Sequence, residues 1–216
     1  MVVTIFMRKN KWVLRGGIAG LVLVIICTGP AGAQSEHWAS GPVQALLDMG
    51  VGGQELKQVL EIDRLILLDS PISPLQWRQW VRQALTAYIG VDLASDGDTS
   101  FWVDTYTVPE YEGPRSVLSR GYAVAGLMKI GNLLGFIPGS SQGQLVHLQK
   151  FSDWHQVEEQ GFSGPWELML VVGVVRGYPD GTLRPEAPLT RAEAACLLKS
   201  WLDVYNSTML ADSIQL

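Results

Sequence analysis

The sequence predicts an all-α protein built from three helix–loop–helix repeats, the second of them irregular. Three observations carry that reading. Residues 177–202, GYPDGTLRPEAPLTRAEAACLLKSWL, join a turn, an extended arm and a capped amphipathic helix in order. The apolar spacing of that helix recurs behind two earlier cap-like serines, Ser73 and Ser119. No alternation of strand and helix patterns runs through the chain.

The first 33 residues read as a secretory signal peptide. Arg8, Lys9, Lys11 and Arg15 form a basic region, residues 18–27 are apolar and uncharged, and Ala31-Gly32-Ala33 supplies a small-x-small cleavage pattern. The apolar run is short for a span, which needs about 20 residues. Extending it back to Trp12 keeps a retained anchor as the other reading. The start is Met1 or Met7, and Cys27 lacks the small residues that precede a lipidated cysteine. Cleavage after Ala33 removes four of the 16 basic residues and none of the 21 acidic ones, leaving a formal charge of about −9. Such a chain has no general attraction for nucleic acid. A single cysteine, Cys196, then remains, so stability rests on packing and not on a disulfide.

Residues 34–95 form the first repeat. Val43, Leu46, Leu47 and Gly50-Val51 mark its first helix. Its second follows Ser73, with Pro74 at the helix start and Trp77, Trp80, Val81, Ala84 and Leu85 on one face. Residues 96–150 form the second repeat. Phe101-Trp102-Val103-Asp104 opens it. Pro109 and Gly113-Pro114 leave no room for a full first helix before Leu118, and residues 131–143 read as a loop. Its second helix starts from Ser119 and carries Ala123, Gly126, Leu127, Ile130 and Gly131 at the same offsets.

Residues 151–203 are the third and best-preserved repeat. Phe151-Ser152-Asp153 opens it, and Trp166, Met169, Leu170 and Gly173-Val174 match the first helix of repeat one. Pro179-Asp180-Gly181 is a turn: Pro sets φ, Asp closes it through its side chain, and Gly takes the remaining backbone angle. Thr190 and Glu193 then form a capping box, ahead of Ala194, Leu197, Leu198, Trp201 and Leu202. An apolar residue precedes every cap: Ile72, Leu118 and Leu189. Residues 204–216 are a short tail.

Catalytic and metal patterns are weak. Gly139-Ser140-Ser141-Gln142-Gly143 fits a nucleophile-elbow expression but lacks the strand before it and the helix after it. His37, His147 and His155 have no paired metal spacing, Asp180-Gly181 lacks an oxygen-rich calcium loop, and Cys196 lies on an apolar helix. No enzyme activity and no cofactor are expected.

The pairing of GYPDGTLRP with LTRAEAACLL at this separation resembles an S-layer homology (SLH) domain, closely over 151–202, loosely over 37–90, and around the second helix of 101–134. The resemblance implies a pseudo-threefold, three-pronged body whose second helices pack near the axis. It implies a secreted protein of the bacterial cell surface, attached non-covalently to cell-wall polysaccharide or a peptidoglycan-linked polymer. In that family the ligand is often an anionic secondary polymer bearing pyruvylated amino sugar. The membrane is met only through the leader.

The implied recognition set is Arg191 and Arg120 at helix N-termini, with Asp153, Trp166, Gly177, Thr190, Glu193 and Ser119. A guanidinium there offers bidentate hydrogen bonds to a sugar carboxylate or phosphate. Thr190 and Glu193 are also fully explained as caps, and Trp166 also fits the apolar core. The first repeat has Pro74 and Gln76 where the cation and the acid would stand, so at most two grooves bind polymer, and Arg191 carries the chief burden. The alternative is a structural or adaptor protein whose degenerate repeats hold a protein partner or self-assemble.

Overall fold

The computed structural model describes residues 4–8, 11–15, 24–25, 37–60, 67–107, 117–139 and 145–214. It divides into two units, residues 1–37 and 38–216. In the first, β1 (Thr4–Arg8), β2 (Lys11–Arg15) and β3 (Val24–Ile25) pair antiparallel in the order β1-β2-β3, with Phe6 opposite Val13 and Trp12 opposite Ile25. The proposed cleavage pattern at Ala31–Ala33 lies outside the described residues.

In the second unit the regular elements among the described residues are all helical. They are α1 (Ser40–Asp48), α2 (Gly53–Leu60), α3 (Pro74–Gln83), α4 (Gly97–Thr107), α5 (Arg120–Leu133), α6 (Trp154–Glu159), α7 (Ser163–Val171) and α8 (Arg191–Ile214). A π-helical turn, Ala84–Ile89, prolongs α3, and a 3₁₀ turn, Leu148–Lys150, precedes α6.

The three caps form as the spacing predicts. Ser73 Oγ accepts from the Gln76 amide (3.2 Å) while the Ser73 amide donates to Gln76 Oε1 (3.2 Å). Thr190 Oγ1 accepts from the Glu193 amide (3.2 Å), and Glu193 Oε2 accepts from the Thr190 amide (3.0 Å). Ser119, with Tyr122 in place of an acid, keeps one half of the motif: its Oγ accepts from the Tyr122 amide (3.3 Å). Behind the caps, every residue of the three predicted apolar faces is buried.

The residues before the caps tie the three helices together. The Ile72 amide donates to the Leu189 carbonyl (2.8 Å), and the Leu189 amide to the Leu118 carbonyl (2.8 Å). All three side chains are fully buried, so each apolar residue preceding a cap packs centrally and links two loops. Four tryptophans, Trp77, Trp80, Trp166 and Trp201, fill the core. Trp201 donates its indole N–H to the Leu127 carbonyl (3.0 Å) and meets Phe136 edge-on at 5.0 Å. Together they join α8 to α5 and to the turn that follows α5.

The first helices end as their glycines require. The chain passes through Gly50 (φ 80°) after α1 and Gly173 (φ 80°) after α7, a left-handed conformation that closes a helix at little steric cost.

The chain departs from the sequence reading in three places. Phe101–Asp104, expected at the start of the second repeat, lies inside α4, which starts earlier because the Asp96 carboxylate accepts from the Thr99 amide (3.0 Å). Pro109 and Gly113-Pro114, expected to leave no room for a helix, lie outside the described residues. Helix α5 continues to Leu133, so the following loop begins later than residue 131. The tail expected from 204 is helical to Ile214. It is held by Asn206 Nδ2 donating to the Tyr88 hydroxyl (2.7 Å) and by Tyr205 packing edge-on to Phe136 (5.3 Å).

Candidate functional site

A groove of about 1010 Å³ opens between α1, the start of α5, the 174–179 loop and the outer face of α8. Its chemistry comes from Arg120, Arg176, Tyr178, Glu193 and Lys199, with Trp38 also lining it at 63% exposure.

The turn after Gly177 places Tyr178. The Gly181 amide donates to the Tyr178 carbonyl (3.0 Å), and Asp180 Oδ1 accepts from the Thr182 amide (3.1 Å) and hydroxyl (2.6 Å). These bonds from Thr182, together with Arg184 on the other oxygen (2.6 Å), hold the Asp180 carboxyl down at about 2. Arg184, at φ 52°, then lies 4.1 Å from the Tyr178 ring centroid, and Arg120 lies 4.9 Å from it. Gly177 has φ 72°, and a Cβ there would come within 2.2 Å of the Phe151 ring, so no side chain fits.

The Tyr178 hydroxyl donates to Glu193 Oε1. Burial first, and then that bond to Glu193, push its ionisation up to about 12, so it stays a neutral donor through the ordinary pH range. The same carboxylate caps α8 and stands 3.9 Å from Arg120 Nη1. Arg120 is therefore held by a loose ion pair and a ring face. Its side chain is 11% exposed, and its Nε is buried without a hydrogen-bond partner. A buried donor without a partner costs about 1–3 kcal/mol. Cys196 also lines the groove, but burial, with Glu193 nearby, raises its thiol to about 11, which keeps it un-ionised and a poor nucleophile.

Arg191 lies elsewhere. Its Nη1 donates to Ser70 Oγ (2.6 Å) and the Pro71 carbonyl (3.0 Å), and its Nη2 to Gln76 Oε1 (3.1 Å). Its Nε is 3.5 Å from Glu55 Oε1, a carboxylate that Gln76 Nε2 also reaches (2.6 Å). A protein carboxylate thus stands beside the Arg191 guanidinium. The first-turn amides are engaged too: Arg191 N donates to the Ser70 carbonyl (3.0 Å), Arg120 N to Ala187 (3.0 Å) and Gly121 N to Pro185 (2.7 Å). The open helix end imagined from the cap motif is filled by loop carbonyls.

The remaining expected residues divide clearly. Gly177 and Glu193 line the groove with Arg120. Ser119 and Thr190 are caps. Asp153 accepts the Leu183 (2.8 Å) and Arg184 (2.7 Å) amides and so fixes the loop behind the turn. Trp166 is fully buried, in agreement with its core reading. Sequence reasoning missed Trp38, Tyr178, Arg176 and Lys199. Tyr178 lies in GYPDGT directly before the Pro179-Asp180-Gly181 turn, and Trp38 lies just beyond the 1–33 leader segment. Among the described residues no cluster of His, Cys, Asp and Glu could hold a metal ion, and no helix is long and apolar enough to cross a membrane.

Comparison with known families matches residues 173–195 to the S-layer homology domain. The match runs from the glycine closing α7 through the turn and into the first turns of α8, and it includes Gly177, Tyr178 and Glu193 of the groove. The SLH domain is a non-enzymatic cell-wall anchoring module, and its presence implies a protein associated with the cell surface or cell wall. Comparison with the curated proteins and with the solved structures gives no match.

Proposed function

We propose, from the SLH segment at 173–195 and the groove it helps to build, that this protein binds an anionic cell-wall polysaccharide non-covalently. The observation that carries this is Arg120: a guanidinium lining a roomy groove, with a buried Nε that no protein group satisfies. A sugar carboxylate or phosphate would accept from that fork. Arg176, also lining the groove, adds an exposed cation. Lys199 is already paired with Asp203 (2.6 Å). Trp38, 63% exposed, supplies ring surface for the apolar face of a sugar, while the Tyr178 ring holds Arg120 in place.

One groove does this work. Arg191 is paired with Glu55, and repeat one has Pro74 at the corresponding helix start, so the N-termini of α3 and α8 act as scaffold while the outer face of α8 lines the groove. The three caps, joined through Ile72, Leu118 and Leu189, support a three-pronged arrangement of repeats. Export through the leader at residues 1–33 belongs to the same reading.

The test is co-sedimentation of the protein with cell-wall sacculi, with and without prior removal of the secondary polymer. Binding that disappears with the polymer is the expected result. Retention on polymer-free sacculi shifts the ligand to peptidoglycan, and no retention on either favours the adaptor reading. Few charges take part, so raised salt weakens binding only modestly.

A further inference from the structure

The Phe101-Trp102-Val103-Asp104 stretch inside α4 presents an aromatic face in the folded chain. Phe101 is 62% and Trp102 41% exposed, whereas Val103 between them and the next turn is fully buried. Trp102 stacks on Tyr106 (5.5 Å between centroids, 23° between planes), and Phe101 meets Trp102 edge-on at 5.2 Å. Exposed Lys129, from α5, holds its Nζ 5.1 Å from the Tyr106 ring centroid. None of these residues lines the groove.

We infer that this face of α4 is a second carbohydrate-binding surface, taking an acidic sugar further along the polymer held in the groove; it rests on that reading of the groove. The outward apolar surface of α4 is aromatic alone. It offers ring faces in place of the aliphatic ridges that a helix-on-helix contact interdigitates. A pyranose presents a flat C–H face that the negative face of an indole attracts, while its edges need polar partners. The rim supplies them. Lys129 complements a sugar carboxylate or phosphate at the Tyr106 end. Asp98, one helical turn before Trp102, can accept from sugar hydroxyls at the other. Asp104 does not repel an anion, because Arg82 already holds it (2.9 Å). The ring stack is formed before any ligand arrives, which reduces the ordering cost of binding.

A polymer held at the groove meets this face as an intramolecular event, so its contribution grows with polymer length. The test measures binding to cell-wall polysaccharide released from sacculi, as long chains and as short fragments, by the full chain, Phe101→Ala/Trp102→Ala, Trp102→Phe and Arg120→Ala. The double variant is expected to bind long chains roughly tenfold more weakly, with short-fragment binding and melting temperature unchanged. Trp102→Phe, which keeps a ring face, restores most of the loss. Parental affinity of the double variant for long chains overturns this inference and leaves the groove intact. Failure of the unaltered protein to bind either form overturns the groove reading and this one with it. Loss of self-association with polymer binding unchanged assigns the face to a second copy of the chain and equally overturns it.

Discussion

Arg120 and Arg191 occupy the same position behind equivalent caps, yet the fold uses them differently. Arg191 distributes its donors over Ser70, Pro71, Gln76 and Glu55, all more than a hundred residues earlier in the chain. Arg120 has a ring face, one carboxylate at 3.9 Å and an unmatched Nε. The first is a tie between distant parts of the chain, the second a donor held ready. Arg191→Ala should therefore reduce stability by about 1–3 kcal/mol in urea denaturation, because it strips charged hydrogen bonds from a mostly buried side chain. Polymer binding by the folded fraction should stay near parental. A stable Arg191→Ala protein that no longer binds polymer would return the recognition role to Arg191.

At the scale of elements, the capped helices were legible because caps, preceding apolar residues and helical offsets are local patterns. Helix α4 was not. Its Asp96 cap is followed by Gly, Asp, Thr and Ser, which favour other conformations, and no clean apolar stripe follows. What holds it is contact with α5: a Cβ added to Gly126 would lie 2.1 Å from the Tyr106 carbonyl oxygen. Gly126→Ala should cost about 1–3 kcal/mol by prying α4 from α5, although alanine is the better helix former. An unchanged or higher melting temperature would contradict that packing.

The 3₁₀ turn before α6 depends on Glu167. Burial pushes this carboxyl up, but the His147 and Leu148 amides and the His147 ring bring it below its usual value of 4.5. A depressed folded value means that the stabilisation is full above about pH 4.5 and lost as pH falls through the lower folded value. The melting temperature of the parent should fall on acidification below that point, and more steeply than that of Glu167→Gln. Parallel profiles would remove Glu167 from the account.

At the scale of the molecule, the partners of Arg191, like those of Ile72 and Leu189, are far apart in sequence, and no periodicity reveals such pairings. The same holds for the groove, whose wall joins Trp38 to Arg120, Tyr178 and Lys199. Residues 173–195 carry the SLH match, and the groove they help to build is completed by an arginine from α5. The most direct measurement is calorimetric titration of Arg120→Ala and Arg191→Ala, beside the parent, with purified wall polysaccharide. The account predicts loss of binding by tenfold or more for folded Arg120→Ala, from removal of a charged hydrogen-bonding fork, and near-parental binding for folded Arg191→Ala. Parental binding by Arg120→Ala would contradict it.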